Sequence, residues 1–260
     1  MFLTTQPFWL SGFLVVILPT IVAMAGPFLV RRRLSLDRLR TNNEVAGFKF
    51  ATVGVLYAVL LAFAVIVVWE RFSDAEKAVA QEAGAASNLF RLANGMEEQG
   101  AALRDGLTRY LQAVLANDWP AMARGGESPV VTHALNDLYA SVVSINAGDK
   151  RAAILLPAVL NQVDLVTQAR RSRLFLASGA VPKIVWLVLL GGAVLTIGFT
   201  LFFGTENLRA QTLMTGALSL LIFAGLFVII VIDYPFAGSV QVRPEALSLV
   251  LEDFGGKPRS

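Results

Sequence analysis

Four long apolar runs limit what this chain can fold into more than any other feature of its sequence. They cover residues 8–30, 50–69, 184–203 and 213–232. Each is close to the roughly 20 residues that an α-helix needs to cross the apolar core of a bilayer. The chain also has 55% hydrophobic and only 16% charged residues, a balance that is unusual for a soluble domain. The sequence therefore predicts an integral membrane protein.

The first run resembles a secretory signal peptide at one point, because Ala23-Met24-Ala25 has the small-residue pattern of a cleavage site. Two features favour a retained membrane span instead. Residues 1–6 carry no positive charge, and the apolar stretch continues to residue 30 before Arg31-Arg32-Arg33. We expect these arginines to mark the membrane boundary.

The spacing of the runs predicts an all-α protein with four transmembrane helices and a helical-bundle domain inserted between helices 2 and 3. Residues 1–69 would hold helices 1 and 2, and residues 70–180 the extramembrane domain. Residues 181–233 would hold helices 3 and 4, and residues 234–260 a C-terminal tail.

Within the inserted domain, apolar residues recur at spacings of three and four, as in Val79, Ala83, Ala86, Phe90 and Ala93. Turn residues at 117–120, 124–129 and 146–149 divide the domain into helices near 70–100, 101–116, 130–145 and 150–178. Because no strong helix breaker follows the second apolar run, we expect helix 2 to continue unbroken to about residue 94.

The distribution of Lys and Arg leaves the orientation in the membrane open, because equal numbers lie near the two faces. Those on the domain side are Arg71, Lys77, Arg170, Arg171, Arg173, Lys183 and Arg243. The dense cluster at residues 31–40 favours a cytoplasmic first loop and an outer domain, since the first helix usually dominates insertion. Because the Lys and Arg residues gather beside the apolar runs, they do not predict nucleic-acid binding.

Residues suited to enzyme chemistry are scarce. The chain has no Cys and a single His, His133, which cannot form a metal site alone. No nucleophile motif and no phosphate-binding glycine-rich loop is present in the sequence. We expect no enzyme activity, no cofactor and no metal. A lipid-modifying enzyme that uses His133 or Glu206 ranks third, after the ion channel and the membrane sensor considered below.

The second apolar run carries the candidate pore residues. They share one helical face and are Leu56, Leu60, Phe63, Val67 and Glu70. Around a central axis, the apolar members would form a hydrophobic constriction, and Glu70 from each copy would form a ring of carboxylates that attracts cations. Two other interpretations stay open: the stripe packs against lipid or neighbouring helices, and Trp69-Glu70-Arg71 is a solvated interfacial group.

Four further charges at the ends of the apolar runs are candidates for structural or gating roles. They are Arg71, Glu206, Arg209 and Asp233. Asp233 lies before Tyr234-Pro235 and is either a boundary charge or a partner for Arg71 or Lys183. Glu206 and Arg209 are close together in a short turn, where they either hold the last hairpin closed or contact lipid headgroups.

Three stretches of sequence resemble the signature of a bacterial bestrophin-like family of unassigned function. They are residues 43–57, which lead into LLAFAVIVVWERF, residues 203–211 and residues 233–239. The family is similar in layout to bestrophins, which are pentameric ion channels whose second helix lines a narrow apolar neck. The resemblance implies a cytosolic helical domain, opposite to the orientation that the cluster at residues 31–40 favours.

These features predict an oligomeric ion channel whose pore is lined by helix 2, cation-selective if Glu70 faces the lumen. The expected partners are copies of the chain in a pentamer or other ring, the lipid bilayer and inorganic ions, without nucleic acid. The expected location is the inner membrane of a bacterial cell. The alternative function is a membrane sensor or assembly partner whose helical domain binds a ligand or protein.

Overall fold

The structure is a computed structural model that describes residues 7–41, 43–96, 98–146 and 148–255. These parts of the chain are helical and contain no β-strand, which confirms the predicted all-α class. The α-helices are α1 (Phe8–Gly12), α2 (Leu18–Arg33), α3 (Leu36–Arg40), α4 (Asn43–Asn94), α5 (Gln99–Ala113), α6 (Trp119–Met122), α7 (Pro129–Val143), α8 (Lys150–Leu176), α9 (Lys183–Thr200), α10 (Leu208–Ile232) and α11 (Glu245–Phe254). Two π-helical segments, Phe13–Ile17 and Val114–Asp118, connect α1 to α2 and α5 to α6.

The chain divides into two compact units. The first, the span unit, contains the chain up to Glu70 together with Gly179–Asp233. The second, the bundle unit, contains Arg71–Ser178 and the chain from Tyr234 onward. Helix α4 runs without a break through the point at which the first unit ends and the second begins.

Five of the described helical segments are long and apolar enough to cross a membrane, judged by length and composition alone. They are Phe8–Arg33, Asn43–Asn94, Lys150–Leu176, Lys183–Thr200 and Leu208–Ile232. Four of them contain the apolar runs of the sequence. The fifth, α8, belongs to the bundle unit and buries Arg170 and Arg173, so a count of four spans stays our prediction.

The span unit is held together by close approaches between helices at glycine. A Cβ placed on Gly192 of α9 would lie 2.4 Å from the ring of Tyr57 in α4. One placed on Gly225 of α10 would lie 2.8 Å from the Leu61 side chain, also in α4. Without a hydrophobic effect between helices in lipid, such small residues let helices pack closely. Helix α4 is therefore fitted tightly against both α9 and α10.

The bundle unit has an apolar core between the second half of α4 and helices α5, α7 and α8. Its fully buried members include Leu89, Leu107, Leu138 and Val163. Apolar residues at spacings of three and four place one side of each helix in this core. Helix α5 packs against both α7 and α11.

The C-terminal segment predicted as a tail packs within the bundle unit as far as the structure describes it. Leu247 of α11 is buried, and the rings of Phe254 and Phe90 stack with centroids 3.8 Å apart. Trp119 donates a hydrogen bond from Nε1 to the Val242 carbonyl at 3.3 Å. The tail thus completes the bundle rather than extending from it.

The turn predicted at residues 117–120 is wrong, because the chain stays helical there. The π-helical segment Val114–Asp118 leads directly into α6. Pro120 lies in α6 directly after this π-helical segment, where the regular i to i−4 hydrogen-bond pattern that a proline interrupts is already replaced by the wider π-helical turn. A proline in this position therefore did not signal a break.

Candidate functional site

One stripe of α4 faces the rest of the span unit. Tyr57, Ala64 and Val68 are buried, and Leu61, on the same stripe, contacts α10 at Gly225. Their spacings of three and four residues are those of neighbours on one helix face. This stripe fixes which side of α4 is available to lipid, to other copies or to a pore.

The predicted pore-lining residues lie outside that packed stripe. Leu56 and Phe63 are each 63% exposed, and Leu60, Val67 and Glu70 are also exposed. The sequence therefore identified a face that the single chain leaves uncovered.

The uncovered face is wider than the predicted stripe. Val55, Val59 and Ile66 are exposed as well. At about 100° per residue, Val59 and Ile66 point directly away from the packed stripe, while Leu60 lies to one side. Around the helix, Phe63 and Glu70 lie between the direction of Val59 and that of Leu60, close to the centre of the exposed arc. These two residues would face a pore for either rotation of the helix.

Leu56 and Leu60 also line an open hollow between α4 and α9. The hollow has a volume of about 350 Å³ and is almost entirely apolar. Leu187 and Leu195 line it from α9, and Gly191 lies between them with open space where a Cβ would be. These side chains are available for an apolar partner.

Arg71, the residue after Glu70, is held by the end of α8 inside the bundle unit. Its Nη2 donates to the Phe175 carbonyl at 2.9 Å and to Ser178 Oγ at 3.0 Å. The guanidinium also lies 5.1 Å from the centre of the Phe175 ring. A cation at the C-terminus of a helix interacts favourably with the last carbonyls. Arg71 and Glu70 therefore do not form a neighbouring pair on one face of α4.

The start of α4 is tied to the turn between α9 and α10 by a pair of hydrogen bonds. Asn43 Nδ2 donates to the Gly204 carbonyl at 2.8 Å, and the Gly204 N–H donates to Asn43 Oδ1 at 3.0 Å. A Cβ on Gly204 would lie 2.7 Å from the backbone nitrogen of Arg40. The turn therefore lies so close to the backbone before α4 that only glycine fits at position 204.

Two arginines strengthen the same contact. Arg31 donates from Nη2 to the Thr205 carbonyl, and Arg40 donates from Nη2 to Glu206 Oε1. The hydrogen bond from Arg40, and then its positive charge, lower the pKa of Glu206. The structure pairs Glu206 with Arg40, whereas the sequence analysis considered Glu206 together with Arg209. Arg209 is exposed in the first turn of α10, which Asn207 caps.

Asp233 holds the other end of the α9–α10 pair. Its Oδ1 accepts hydrogen bonds from the backbone N–H groups of Ala180 and Val181, both at 2.9 Å. The carboxylate is buried and lies at the end of α10, while its partners precede α9. Asp233 thus closes the pair of helices at the side opposite to Gly204.

An ionic network that the sequence analysis missed is buried in the bundle unit. Arg173 donates from Nε to Glu82 Oε2 at 2.7 Å, and from Nη2 to Asp118 Oδ2 at 3.3 Å. Arg170 donates from Nε to the same Asp118 oxygen at 2.9 Å. Two carboxylates face two guanidinium groups, so the charges balance, as burial requires.

Tyr110 completes this network by donating from its hydroxyl to Glu82 Oε1 at 2.6 Å. Burial, and then the charge of Glu82, raise the pKa of Tyr110 well above its usual value of 10. The Arg173 guanidinium lies 4.9 Å from the centre of the Trp119 ring. The network ties α4 to α5, α8 and the segment between α5 and α6.

Comparison with known proteins shows the family of the chain. Residues 17–247 match the family model of the Bestrophin-like domain. The chain belongs to the bestrophin-like family. This confirms the resemblance carried by the three sequence blocks, two of which meet where Asn43 contacts Gly204.

Solved structures share the fold of this bestrophin-like chain. A bacterial bestrophin homologue from Klebsiella pneumoniae has a TM-score of 0.73 and 14% identity, covering 94% of this chain and 99% of the other. A variant of that homologue has a TM-score of 0.73 and 15% identity, covering 93% and 99%. A further membrane protein has a TM-score of 0.72 and 15% identity, covering 93% and 98%. No curated protein sequence matches significantly.

Both residues considered for enzyme chemistry are exposed in the part of the bestrophin-like chain that the structure describes. His133 is exposed on α7, and Glu206 is exposed and paired with Arg40. Among the residues described, no three His, Cys, Asp or Glu side chains lie together in a way that could hold a metal ion. The outward face of α4 and the contacts that position it are therefore the candidate site.

Arg170 and Arg173 show why the buried network could not be found from the sequence. They were counted there among the cations near the membrane, yet both are buried in ion pairs. Their spacing of three places them on one face of α8, which was the only available signal. Their acidic partners are 52 and 91 positions away along the chain, a separation that no local pattern reveals.

Proposed function

We propose that this bestrophin-like protein assembles as a homo-oligomeric ring and conducts inorganic ions through a pore lined by the outward face of α4. The observation that carries the proposal is the uncharged, exposed face of α4 from Val55 to Val67, which ends in Glu70. Helix α4 is tightly packed on one side and uncovered over a wide face on the other. That face leaves room for neighbouring copies and a lumen. The inner membrane of a bacterial cell is the proposed location.

Packing of further copies against α4 is supported by its small exposed residues. Ala58 and Ala62 are exposed, and a Cβ on Gly54 would meet nothing within 4 Å. Small residues on an uncovered membrane helix permit a second helix to approach closely. The hollow beside Leu56 and Leu60 would take apolar side chains from such a neighbour.

The apolar members of the face would act as the gate. Around an axis, Leu56, Leu60, Phe63 and Val67 would form a hydrophobic constriction, which closes by excluding water. Glu70 would surround one mouth of this constriction with carboxylates and favour cations. Because Arg71 is held at the end of α8, it does not occupy the same side of α4 as Glu70.

The other charges proposed for structural or gating roles would keep α4 in position. Asp233 joins the end of α10 to the backbone before α9, and Glu206 joins the α9–α10 turn to Arg40. Arg209 is exposed at the start of α10 and would face the membrane surface. Both helices that pack against α4 are thereby fixed at their ends.

The alternative, a sensor or assembly partner, is supported by a trench between α4 and α8 in the bundle unit. Two adjoining hollows of about 330 and 400 Å³ share Gln81 and Ser172. Amide groups of Asn88, Gln162 and Gln168 also line the trench. Such a surface would bind a polar ligand through hydrogen bonds, with the signal passed to a separate partner protein.

The test begins with native mass spectrometry of the purified protein in nanodiscs. We expect a ring of four or more copies; a monomer or dimer would exclude a central pore and favour the sensor. Flux of monovalent cations is then measured in liposomes at a series of membrane voltages, pH values and calcium concentrations. Glu70→Gln should reduce the preference for cations over anions, Phe63→Ala should raise the leak, and Glu252→Gln on exposed α11 should change neither. Absence of flux under all conditions would contradict the proposal.

A further inference from the structure

A second surface of the span unit, separate from the face of α4, carries unbalanced positive charge. It is formed by Arg32 and Arg33 at the end of α2 and by Arg38 in α3, all of which are exposed. We call these three residues the arginine rim. None of them forms an ion pair with another residue that the structure describes.

The neighbouring arginines have other roles and help to define the rim. Arg31 donates to the Thr205 carbonyl, and Arg40 to Glu206. These two contacts bind the segment to the α9–α10 turn. They also leave the positive charge of the rim, rather than that of Arg31 and Arg40, available to something outside the chain.

The short helix α3 is fixed so that Arg38 stays on the outside. Leu39 is buried, and the Gly204 position lies so close that an added Cβ would be 2.9 Å from the Leu39 Cβ. With Leu39 held inward, Arg38 is directed about 100° away around the helix. Arg38 thus belongs to a helical segment whose position is fixed by packing, and not to a mobile loop.

The place of the rim relative to the apolar surface indicates the kind of partner. Phe28 and Leu29, just before the arginines, are exposed apolar residues of a membrane-length helix. Val45 and Phe48, just after α3, are exposed as well. Exposed apolar side chains on both sides of the rim would contact acyl chains, which places the arginines at the level of the lipid headgroups.

The nearby acidic groups cancel this charge only in part. Glu206 is engaged by Arg40, and Asp37 and Glu44 are the remaining acidic residues between Arg31 and Phe50. An arginine at the end of α2 also benefits from the helix dipole. Arg38 lies likewise in the last turn of α3.

We propose that the arginine rim is a binding site for the headgroup phosphate of anionic phospholipids. Guanidinium groups form paired, charge-assisted hydrogen bonds with phosphate oxygens. The apolar neighbours supply the contact with acyl chains that a soluble phosphate lacks. The site does not depend on ion conduction, and it would exist in a channel and in a sensor alike.

The test uses the full-length protein in nanodiscs of phosphatidylcholine with a minor fraction of phosphatidylglycerol. Lipids that remain bound after release from the nanodisc are identified by native mass spectrometry. We expect the wild type to retain phosphatidylglycerol in preference to phosphatidylcholine. The variant R32Q/R33Q/R38Q should lose that preference by about tenfold or more, since each basic residue near a charged lipid surface contributes.

Matched variants separate recognition from a general change in charge or fold. R91Q/R109Q/R124Q removes three exposed arginines of the bundle unit and should retain the wild-type preference. R32K/R33K/R38K keeps the charge and should retain most of it. The thermal unfolding temperature of each variant is compared with that of the wild type, and only variants that unfold as the wild type does are scored.

Three results would overturn the proposal. One is equal lipid retention by the wild type and R32Q/R33Q/R38Q. Another is an equal loss in R91Q/R109Q/R124Q, which would show only a dependence on net charge. The third is displacement of the lipid by millimolar inorganic phosphate, which would assign the rim to soluble phosphate instead of a membrane lipid.

Discussion

Asn43 and Gly204 are 161 positions apart in the chain, and they share two hydrogen bonds, between the Asn43 side-chain amide and the backbone N–H and carbonyl of Gly204. Through this contact the first residue of α4 is fixed to the turn between α9 and α10. The same two helices pack against α4 at Gly192 and Gly225 further along. The rotation of α4, and hence the face that it exposes, is set at both places.

Replacing Asn43 by Ala should therefore destabilise the span unit. The Gly204 N–H and carbonyl are both left without a partner, and each unsatisfied, partly buried group costs about 1–3 kcal/mol at most. We expect the thermal unfolding temperature in detergent, followed by tryptophan fluorescence, to fall by several degrees. Gly204→Ala should lower it further, because its Cβ would lie 2.7 Å from a backbone atom that cannot move away easily.

Asn136→Ala provides the control for this prediction. Asn136 is exposed on α7, so removal of its amide should change the unfolding temperature little. If Asn43→Ala were as stable as Asn136→Ala, the paired hydrogen bonds would not anchor α4. In that case the rotation of α4 would depend on the glycine contacts alone.

Removal of one partner from the buried network should destabilise the bundle unit strongly. Arg173→Met leaves Glu82 buried without a cation, and breaking a buried pair in this way typically costs about 3–5 kcal/mol. The double variant Glu82→Gln/Arg173→Met removes both charges. We expect it to lose less stability than the sum of the two single variants, measured by denaturant or thermal unfolding.

An exposed ion pair on α4, the helix that carries Glu82, gives the comparison. Lys77 Nζ lies 2.9 Å from Asp74 Oδ1, and both side chains are exposed. Lys77→Met should change the free energy of unfolding by no more than about 1 kcal/mol. Equal effects of Lys77→Met and Arg173→Met would mean that burial of the network does not matter for stability.

The raised pKa of Tyr110 predicts loss of stability at alkaline pH. In the unfolded chain Tyr110 ionises near pH 10, whereas the folded state keeps its proton to a higher pH. Above pH 10 the unfolded state thus binds fewer protons than the folded state, and stability falls as pH rises. The slope for one such group is at most about 1.4 kcal/mol per pH unit.

Tyr110→Phe tests this origin of the pH dependence. The variant should be somewhat less stable at pH 8, because the hydrogen bond to Glu82 is lost. Between pH 10 and 11 its unfolding temperature should fall less steeply than that of the wild type. Tyr139→Phe should alter the slope less, since Tyr139 is only partly buried and burial raises its pKa to a smaller degree. Identical slopes in all three proteins would rule out Tyr110 as the source.

Much of the helical architecture was predictable from local sequence patterns. The long apolar runs and the absence of breakers predicted that α4 extends to residue 94, as found. Gly84 weakens the helical propensity of this stretch, but it lies inside α4, exposed and with open space around it, and the helix continues through it. Asp149 caps α8 by accepting from the Arg151 N–H, a role for which Asp directly before a helix is well suited.

Contacts between distant parts of the chain were not predictable in the same way. Asp233 accepts hydrogen bonds from the backbone N–H groups of Ala180 and Val181, and backbone partners have no signature in a sequence. Glu206 has Arg209 nearby in the chain, but the fold brings Arg40 to it. Charge partners are chosen by tertiary packing, and local spacing predicts only the candidates.

The rotation of α4 about its own axis decides which of its side chains would face the proposed pore. The sequence predicts a stripe that includes Leu60, whereas Val59 points most directly away from the packed side. Phe63 lies between them and would face the lumen in both cases. Since the chain contains no Cys, a single introduced thiol would be the only one present.

Single-cysteine variants should therefore resolve the pore face by reaction with a cationic, water-soluble methanethiosulfonate reagent during flux measurements. We expect Phe63→Cys and Leu60→Cys to be modified and blocked, because a charged adduct in a narrow apolar constriction obstructs ions. Tyr57→Cys should not react, since its position is buried against α9. Block at Val59→Cys without block at Leu60→Cys would show that α4 is rotated about 100° from the predicted stripe, and no block at any of these positions would place the ion pathway elsewhere.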